Sequence, residues 1–349
     1  MATPDDAGFD LAIVAEENQQ HFRLLELPPD LLNLITSANA PVIKLKSSQN
    51  DSGMNSAVLC TPDKTYEIRQ VSTSNTVFVT ESTSQSKIPD VSSQPVLKAI
   101  AQPQSTLELL PCSATSAIPY IVAALPSYTS TQHQSSSTAV SKDDLFANIP
   151  LNDGQCEAGW IELACFESGD GQHAVIPTAS VKTTVWKAVL DAATATGIDL
   201  TGELNRDDLS RLLNMESDWP EAVSTAVLRS MSTPDLTSNT TTLDPELCAK
   251  RVGLALLKDL SGPTSGSIST APFKTKWADL LPEKWRTHAA LNLLNGCYRL
   301  ENGGKDILIV EDSLDAVAAA NGGSTAGSGS TLGAKRKWHE KFRASKKAA

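Results

Sequence analysis

The sequence predicts an α+β protein in which an N-terminal β-rich domain, a partial barrel, is followed by two or three tandem winged-helix domains. Three observations support this prediction. Short runs rich in β-type residues and separated by turn residues fill the first hundred positions. Helical patterns with N-cap residues, followed by pairs of strand-like runs, recur in the second half. At 349 residues, 40% of them hydrophobic, the chain can form several small cores.

The β-rich domain is predicted over residues 1–105. Thr61-Pro62-Asp63 is a turn between two of its strands. Leu27-Pro28-Pro29-Asp30 introduces a short helix over Leu31–Ile35, because proline is tolerated in a first helical turn. Ala57–Cys60 does not alternate, which indicates a strand covered on both faces, by this chain or by another. The predicted strands are Leu11–Val14, His21–Glu26, Val42–Lys46, Ala57–Thr61, Lys64–Val71 and Thr76–Thr80.

Segments dominated by Ser, Thr, Gln, Pro or Gly are predicted to be linkers or loops. They are residues 81–106, 127–141, 261–270 and 321–334. The remaining boundaries place a first winged helix at 106–180, a helical unit or second winged helix at 181–242, the last winged helix at 243–312, a Gly/Ser-rich linker at 313–334 and a basic tail at 335–349.

The last of these units has the clearest pattern. Asp244 is a predicted N-cap, and Pro245 stands at the first helical position, which proline favours. Gly296 is a predicted helix stop. The predicted elements are helices over Pro245–Leu260, Phe273–Leu281 and Glu283 to about Asn295, and a hairpin of Cys297–Leu300 and Asp306–Val310.

Weaker versions of this pattern come earlier in the chain. The first has helices over Ile118–Leu125, Lys142–Ile149 and Asn152–Leu163 and a hairpin that ends at Val175-Ile176. The second has helices over Trp186–Ala195, Asp207–Asn214 and Trp219–Met231, without a convincing wing. The repetition predicts a tandem array with two or three winged helices.

No catalytic constellation is found in the sequence, so we expect a protein that is not an enzyme and needs no cofactor or metal. Gly304-Lys305 is followed by Asp306, and Arg299 stands where a phosphate-binding loop needs its first glycine. The five histidines form no metal-binding pair, and the six cysteines lack zinc-site spacing. We therefore expect buried, unpaired cysteines. Asp143-Asp144 and Asp207-Asp208 are expected at helix N-termini, where acids are favoured.

The net charge of −11 argues against a protein that coats nucleic acid or an anionic membrane. The start lacks a signal peptide, and no run reaches the ~18 apolar residues of a membrane span, so we expect no membrane association. The tail is basic: Lys335, Arg336, Lys337, Lys341, Arg343, Lys346 and Lys347. It is interpreted as a nuclear import signal, a phosphate-binding arm, both, or a solvated end.

The charges of the helical units differ in sign. Lys142–Pro177 has one basic and seven acidic residues, so we expect it to bind protein or merely to pack. Pro272–Val310 has six basic and four acidic residues, which makes it the best candidate for DNA contact. Trp277 and Trp285 are interpreted as core residues rather than base-stacking ones. The candidate DNA-binding residues are Lys274, Lys276, Lys284, Arg286 and Lys305, with Lys335, Arg336, Lys337, Lys341 and Arg343 of the tail.

An ordered set of short motifs lies between residues 24 and 76. They are Leu24-Leu25-Glu26-Leu27, Val42-Ile43-Lys44, Ala57-Val58-Leu59-Cys60-Thr61, Lys64-Thr65-Tyr66, Arg69 and Ser74-Asn75-Thr76. This set resembles the defective-in-sister-chromatid-cohesion (Dcc-type) subunit family of the alternative clamp loader built on replication factor C. In the second half the resemblance is mainly one of order and pattern.

The resemblance implies a non-catalytic nuclear subunit that supports sister chromatid cohesion. Its β segment would co-fold with a small companion subunit and with the large ATPase subunit of the loader. Its winged helices would bind DNA polymerase epsilon and single- and double-stranded DNA, and the assembly would place or remove the sliding clamp PCNA. The candidate protein-binding residues of the β segment are Val58, Leu59, Cys60, Tyr66, Ile68, Val77 and Phe78.

The alternative function is that of a sequence-specific transcription regulator, since winged helices commonly serve there. It would require base-reading residues on the third helix of the last unit. Arg286, Asn292 and Asn295 are the few candidates there.

Overall fold

A computed structural model of the chain describes residues 10–13, 21–49, 55–72, 74–83, 96–112, 116–129, 140–168, 173–213, 219–233, 240–262 and 266–310. These residues form a mixed α+β structure with five separate sheets. The β-rich part is N-terminal, as predicted. None of the sheets of the described residues closes into a barrel.

The N-terminal strands form two open sheets. They are β1 (Asp10–Ile13), β2 (Leu24–Glu26), β3 (Lys44–Gln49), β4 (Asn55–Cys60), β5 (Thr65–Ser72), β6 (Val79–Thr83), β7 (Val96–Ala101) and β8 (Ser105–Pro111). The larger sheet has the order β2-β8-β5-β4-β3, and the smaller one has the order β1-β7-β6. In both sheets the strand nearest the N-terminus pairs in parallel with a strand much later in the chain, β1 with β7 and β2 with β8.

The short helix α1 (Pro29–Ile35) covers one face of the larger sheet. Proline occupies its first position, as the sequence predicted. Leu31 is 1% exposed and packs with Leu59, Tyr66 and Leu109 of three neighbouring strands. This cluster is the core of the β-rich region.

The prediction that residues 81–106 form a linker was wrong for its second half. Val96–Ala101 is β7, and β8 begins at Ser105, so the sheet continues past the boundary that the sequence suggested at residue 105. The reason is local composition. Polar residues dominate the segment as a whole, whereas Leu107 and Leu109 alternate with polar neighbours only after the proposed boundary.

The helical part repeats one order of elements three times: a helix, a short strand, two further helices (in the third copy one α-helix and two 3₁₀ helices), then one or two strands. The first copy is α2 (Ile118–Ala124), β9 (Ser127–Tyr128), α3 (Lys142–Asn148), α4 (Asp153–Glu162), β10 (Phe166–Ser168) and β11 (His173–Pro177). The second is α5 (Ala179–Thr196), β12 (Glu203–Asn205), α6 (Arg206–Leu213), α7 (Glu221–Met231) and β13 (Thr240–Thr242). The third is α8 (Pro245–Ser261), β14 (Ile268–Ser269), α9 (Thr270–Asp279), two 3₁₀ helices (Glu283–His288 and Leu291–Leu294), β15 (Tyr298–Glu301) and β16 (Asp306–Ile309).

In each copy the short strand after the first helix pairs with the last strand, but not always in the same direction. The pairing is antiparallel for β12 with β13 and for β14 with β16, and parallel for β9 with β11. The middle copy, which lacked a recognisable wing in the sequence, also has a bridge between Ser232 and Leu243. A strand-like return therefore follows its last helix too.

Side-chain caps fix the starts of several helices where the sequence indicated them. The Asp244 carboxylate accepts a hydrogen bond from the Leu247 backbone N–H at 2.7 Å. Asn152 and Gln155 form a reciprocal capping box at the start of α4. The paired acids Asp143-Asp144 and Asp207-Asp208 lie in the first turns of α3 and α6, as expected from the helix dipole.

The predicted third helix of the last unit, Glu283 to about Asn295, is not one helix. The two 3₁₀ helices are separated at Ala289-Ala290, and the amides use shorter-range acceptors, such as Trp285 N–H to Pro282 O at 2.8 Å. Trp285 and Leu294 are both buried in one core. Nine residues apart, they would point in directions about 180° apart on a continuous α-helix. The break lets both reach the same core.

The second and third copies share a single hydrophobic core. It includes Val185 and Trp186 of α5, Val227 of α7 and Leu257 of α8, and α5 packs along α8. Trp277 and Trp285 belong to this core, in agreement with the interpretation from the sequence. Gly253 lets α8 approach the Trp277 ring, whose Nε1–H donates to the Ala249 carbonyl oxygen at 2.9 Å.

All six cysteines are unpaired, and five of them are buried, while Cys112 is partly exposed. Burial raises the pKa of the Cys156 thiol to about 11 and that of Cys165 to about 12. Within the described part of the chain, none of the helices combines the length and apolar character that a bilayer span requires.

Candidate protein and nucleic-acid interfaces

The larger sheet is covered on both faces by elements of this chain. Leu59, Tyr66 and Ile68 share the face that packs under α1. Val58 and Cys60 point to the opposite face and are also buried. The expectation of a strand covered on both faces is confirmed for β4. The cover is supplied by α1 on one side and by the first helical copy on the other.

Lys46 anchors the second of these faces. Its Nζ donates to the carbonyl oxygens of Phe146 at 2.7 Å and Leu151 at 2.6 Å and lies 3.5 Å from Asp153 Oδ1. Its side chain is 3% exposed. The partners of this buried ammonium lie on α3, on the loop that follows it and on α4, so Lys46 joins the β-rich region to the first helical copy.

Asp153 receives a second lysine. Lys44 Nζ lies 2.5 Å from Asp153 Oδ2. Burial alone would raise the pKa of Asp153, but the hydrogen bond from Lys44 and the charges of both lysines outweigh it, so this pKa lies below its ordinary value. The carboxylate therefore remains ionised at neutral pH and holds both lysines.

Thr65 extends the same contact. Its hydroxyl accepts a hydrogen bond from the Asn152 backbone N–H at 2.9 Å and donates to Gln155 Oε1 at 2.9 Å. The capping box of α4 is thus tied to the start of β5. Because Thr65 lies next to Tyr66, one of the predicted protein-binding residues, that strand is already engaged within the chain.

Three of the predicted protein-binding residues are not fully buried. Ile68 packs at the margin of the α1 cluster, and Val77 and Phe78 are partly buried just before β6. Val58, Leu59, Cys60 and Tyr66 are at most 6% exposed. A partner can therefore contact Val77 and Phe78 as the chain is folded here, but not the four buried residues.

Two strongly exposed apolar side chains lie instead at the open edge of the larger sheet, on β3 and just before it. Leu45 is 71% exposed and Val42 is 77% exposed. Leu45 pairs in register with buried Leu59, which pairs with Tyr66, so an apolar row runs from under α1 to the open edge. Sequence reasoning missed Leu45 because it lies between two lysines. Its exposure follows from the position of β3 as the last strand of the sheet.

The acids of the first helical copy are largely paired within the chain. Glu157 bonds Lys142 at 2.7 Å and Arg229 of α7 at 2.9 Å, and Glu162 bonds Arg251 of α8 at 2.9 Å. Of the two interpretations of its charge, protein binding or packing, these ion pairs support packing for the acids of α4. They fasten α4 to the second and third copies.

The five predicted DNA-binding residues within the described chain are exposed but do not form one patch. Lys276 and Arg286 line a common groove, joined by Lys187 of α5, which the sequence did not single out because it belongs to another unit. Asp191, Asp279 and Glu283 line the same groove. The groove therefore carries as many acids as bases.

Lys274 lies on the opposite flank of α9. It follows Thr270 by four residues and so shares its helix face. Thr270 contacts the turn between β15 and β16, where its N–H donates to the Lys305 carbonyl oxygen at 2.7 Å and its hydroxyl to Gly304 O at 2.9 Å. Lys274 and exposed Lys305 are thus on the hairpin side of the unit, where the carboxylate of Asp306 accepts hydrogen bonds from Ser269 and Asn302.

Lys284 is already engaged. Its Nζ lies 2.8 Å from Asp199 Oδ2 and 2.9 Å from the Thr201 hydroxyl, which links the last copy to the loop after α5. This hydrogen bond keeps the pKa of Asp199 well below its ordinary value. Lys335, Arg336, Lys337, Lys341 and Arg343 lie outside the described residues.

Among the residues that the structure describes, no group of three or more potential ligands could hold a metal ion. The sequence matches the family profile described as "Sister chromatid cohesion protein Dcc1" over residues 22–314. The match begins before β2 and extends past β16, so it covers both the β-rich region and all three helical copies. No curated protein matches the sequence.

Proposed function

The chain belongs to the Dcc1 family of sister chromatid cohesion proteins, and from this membership we propose that it is a non-catalytic subunit of the alternative replication factor C clamp loader. Family membership implies a role in sister chromatid cohesion. The finer proposal is that the subunit links the loader to DNA and to DNA polymerase epsilon in the nucleus, for loading or unloading of PCNA. The observation that carries it is the family match over both parts of the chain.

We interpret each of the three helical copies as a winged helix. The supporting observation is the shared order of elements, together with the pairing of the first short strand with the last strand, which is antiparallel in the second and third copies and parallel in the first. The middle copy would be a winged helix with a reduced hairpin. Three such domains fit the family's tandem arrangement without adding any catalytic group.

Assembly with the companion subunit and the large ATPase subunit is assigned to the β-rich region. Six of the ten large apolar side chains that are exposed in the described chain fall between residues 22 and 110. A foreign strand that pairs with β3 would extend the sheet through main-chain hydrogen bonds and would cover Leu45. The proposed contact is therefore the β3 edge, together with Val77 and Phe78.

The overall proposal is tested by tagging the full chain and identifying the proteins that co-purify from nuclear extract in high salt. Replication factor C subunits together with a large ATPase subunit and a small companion are the expected result. If none of these subunits is recovered, the clamp-loader assignment fails, and the transcription-regulator alternative becomes the better hypothesis.

We predict that Leu45→Glu abolishes co-purification of the small companion subunit while the variant remains folded. A charge at the centre of the new strand pair would have to be desolvated, whereas in the free chain it stands in water. The measurement is recovery of the companion from cells that express both subunits. Leu300→Glu is the matched control, since Leu300 is an exposed strand leucine in the last unit. Equal recovery with both variants would contradict the edge contact.

DNA binding is assigned to the hairpin side of the last copy, with the basic tail as a second contact. Lys274 and Lys305 lie there, whereas Lys276 and Arg286 share their groove with three acids and Lys284 is paired with Asp199. Phosphate contacts weaken with salt because counterions are released on binding.

We predict that Lys274→Ala combined with Lys305→Ala lowers DNA affinity and reduces the slope of log affinity against log salt by about 1 per lysine. The matched pair Lys276→Ala and Arg286→Ala should change the slope less, because the three acids of their groove repel phosphate and keep it away from these cations in the unmodified chain. Fluorescence anisotropy with a short duplex at several salt concentrations measures both. An unchanged slope for the Lys274 and Lys305 pair would remove this side from the DNA surface.

The same assay over random duplexes separates the proposed scaffold from a sequence-specific regulator. Preference for a DNA form, such as a single-strand–duplex junction, without a sequence motif is expected for the scaffold. A defined motif would favour the regulator.

A further inference from the structure

A cavity of about 390 Å³ lies where the three helical copies meet. Its walls come from α2 and α4 of the first copy, α5 and α7 of the second, and α8 of the third. This volume falls within the range of ~300–1,000 Å³ that is typical of sites for small organic ligands. None of the DNA-binding or protein-binding candidates discussed above lines it.

The cavity is basic although the protein as a whole is acidic. Lys182, Arg251 and Lys258 line it, and Glu162 is the acidic residue among the lining side chains. Glu162 is bonded to Arg251, so its charge is already balanced within the cavity wall. With three basic residues and one acidic residue, the lining has a formal net charge of +2.

Lys182 is the most significant of these cations. It projects from α5 into the cavity wall, and none of the ion pairs among the described residues includes it. Burial lowers its pKa to about 8. The groups that act on it are Cys165 before β10, Glu162 of α4, and Arg251 and Lys258 of α8. A partly buried ammonium beside two other cations is stabilised when an anion binds next to it.

The remainder of the lining is largely apolar. Val122 and Leu125 contribute from α2 and its C-terminal end, Trp186 from α5, and Leu254 and Ala255 from α8. Val122 is half exposed although it is a large apolar side chain. The cavity therefore combines an apolar surface that a ligand body can cover with a cationic group that can hold a head group.

We propose that this cavity binds a small amphipathic organic anion, with a carboxylate beside Lys182 and an apolar body against α2 and α8. The anion would supply the acidic partner that Lys182 lacks among the ion pairs of the described residues. Because the site is built from all three copies, its occupancy would stabilise their arrangement. The proposal is independent of the clamp-loader assignment and stands or falls on ligand binding by the purified chain.

The test is isothermal titration calorimetry of the full chain with decanoate, below its micelle concentration. Decan-1-ol and decyltrimethylammonium are the matched probes, since they keep the apolar body and remove or reverse the charge. We expect one decanoate per chain, bound at least tenfold more tightly than either control. Absence of saturable binding, or equal affinity for decanoate and decan-1-ol, would overturn the proposal.

Two variants locate the site. Lys182→Met keeps the length and apolar stem of the side chain and removes its charge, and it should weaken decanoate binding at least tenfold. Lys187→Met is the control, because Lys187 is exposed on the same helix and lines the separate groove beside α9. Decanoate affinity should also fall as the pH is raised from 7 to 9.5, where Lys182 loses its proton, and this fall should be smaller in Lys182→Met.

A result in which both lysine variants bind decanoate like the unmodified chain would place binding elsewhere and overturn the assignment. If Lys182→Met does not fold, Lys258→Gln at the exposed side of the same cavity takes its place, with the same control. A several-fold loss of affinity is expected for that variant, and an unchanged affinity contradicts the site.

Discussion

Replacing Lys46 with methionine is expected to lower the free energy of unfolding by about 2–4 kcal/mol. Methionine retains the apolar stem but removes the donor to the Phe146 and Leu151 carbonyl oxygens, which lie 2.7 and 2.6 Å from Nζ. Those carbonyls would be left at a buried junction without their partner. The loss should be concentrated at the contact between the β-rich region and the first helical copy.

Urea unfolding followed by circular dichroism measures this change, and hydrogen exchange of residues 142–163 locates it. Lys44→Met is the matched control: Lys44 binds the same carboxylate from the same strand, but its side chain is 48% exposed. An exposed ion pair contributes ~0–1 kcal/mol, so the control should change stability by no more than that. Equal losses of stability in the two variants would show that burial of the Lys46 ammonium is not the cause of the larger effect.

The second large effect is expected at Gly253. Helix propensity alone predicts that Gly253→Ala stabilises α8 by about 1 kcal/mol. The added Cβ, however, would lie 2.4, 2.5 and 2.8 Å from three atoms of the Trp277 ring, and Trp277 is fully buried. Overpacking of this kind costs about 1–3 kcal/mol, occasionally more. We therefore expect a net loss of stability of about 2 kcal/mol, opposite in sign to the propensity.

The sign of the change in the free energy of unfolding distinguishes the gain from helix propensity from the loss caused by overpacking against Trp277. In a Trp277→Leu background the same alanine should be tolerated, because the ring atoms that it would strike are gone. Gly202→Ala, where the nearest atom lies 3.7 Å from the added Cβ, is the control without a close contact. Denaturant unfolding of the unmodified chain, the two single variants at positions 253 and 277 and the double variant forms a double-mutant cycle, and additivity of the two changes would contradict the proposed clash.

Elements that depend on local chemistry were predictable from the sequence. The starts of α8 and α4 follow from Asp244 and Asn152, whose side chains cap the backbone whatever the rest of the chain does. The two prolines before Leu31 indicated the first turn of α1, which begins two residues earlier than predicted, at Pro29. Three helical patterns followed by strand-like runs gave the order of elements in the last unit.

Elements that depend on distant residues were not predictable. β8 is held between β2 and β5, so its strand character comes from partners far away in the sequence. The break between the two 3₁₀ helices comes from the need to bury Trp285 and Leu294 in one core. Sequence patterns that span only a few neighbouring residues do not reveal the pairing of β8 or the shared burial of Trp285 and Leu294.

The pairing of charges in the candidate sites could not be predicted for the same reason, because it too depends on distant residues. Net charge over a segment suggested a protein-binding acidic unit and a DNA-binding basic one. A sum over residues does not show which charges are already paired, and Glu157, Glu162 and Lys284 all have partners in other units. Leu45 was missed for a similar reason, because edge position is a property of the whole sheet.

The parallel pairings of the β-rich region bear on how the protein is made. Leu24 of β2 is in register with Thr106 of β8, and Leu11 of β1 with Leu97 of β7. At ~5–20 residues per second, a ribosome takes roughly 4–16 s to synthesise the intervening stretch of about 80 residues. During that time the first two strands have no intramolecular partner. The main-chain donors and acceptors of these two strands therefore stay open to pairing with other chains until β7 and β8 have been synthesised.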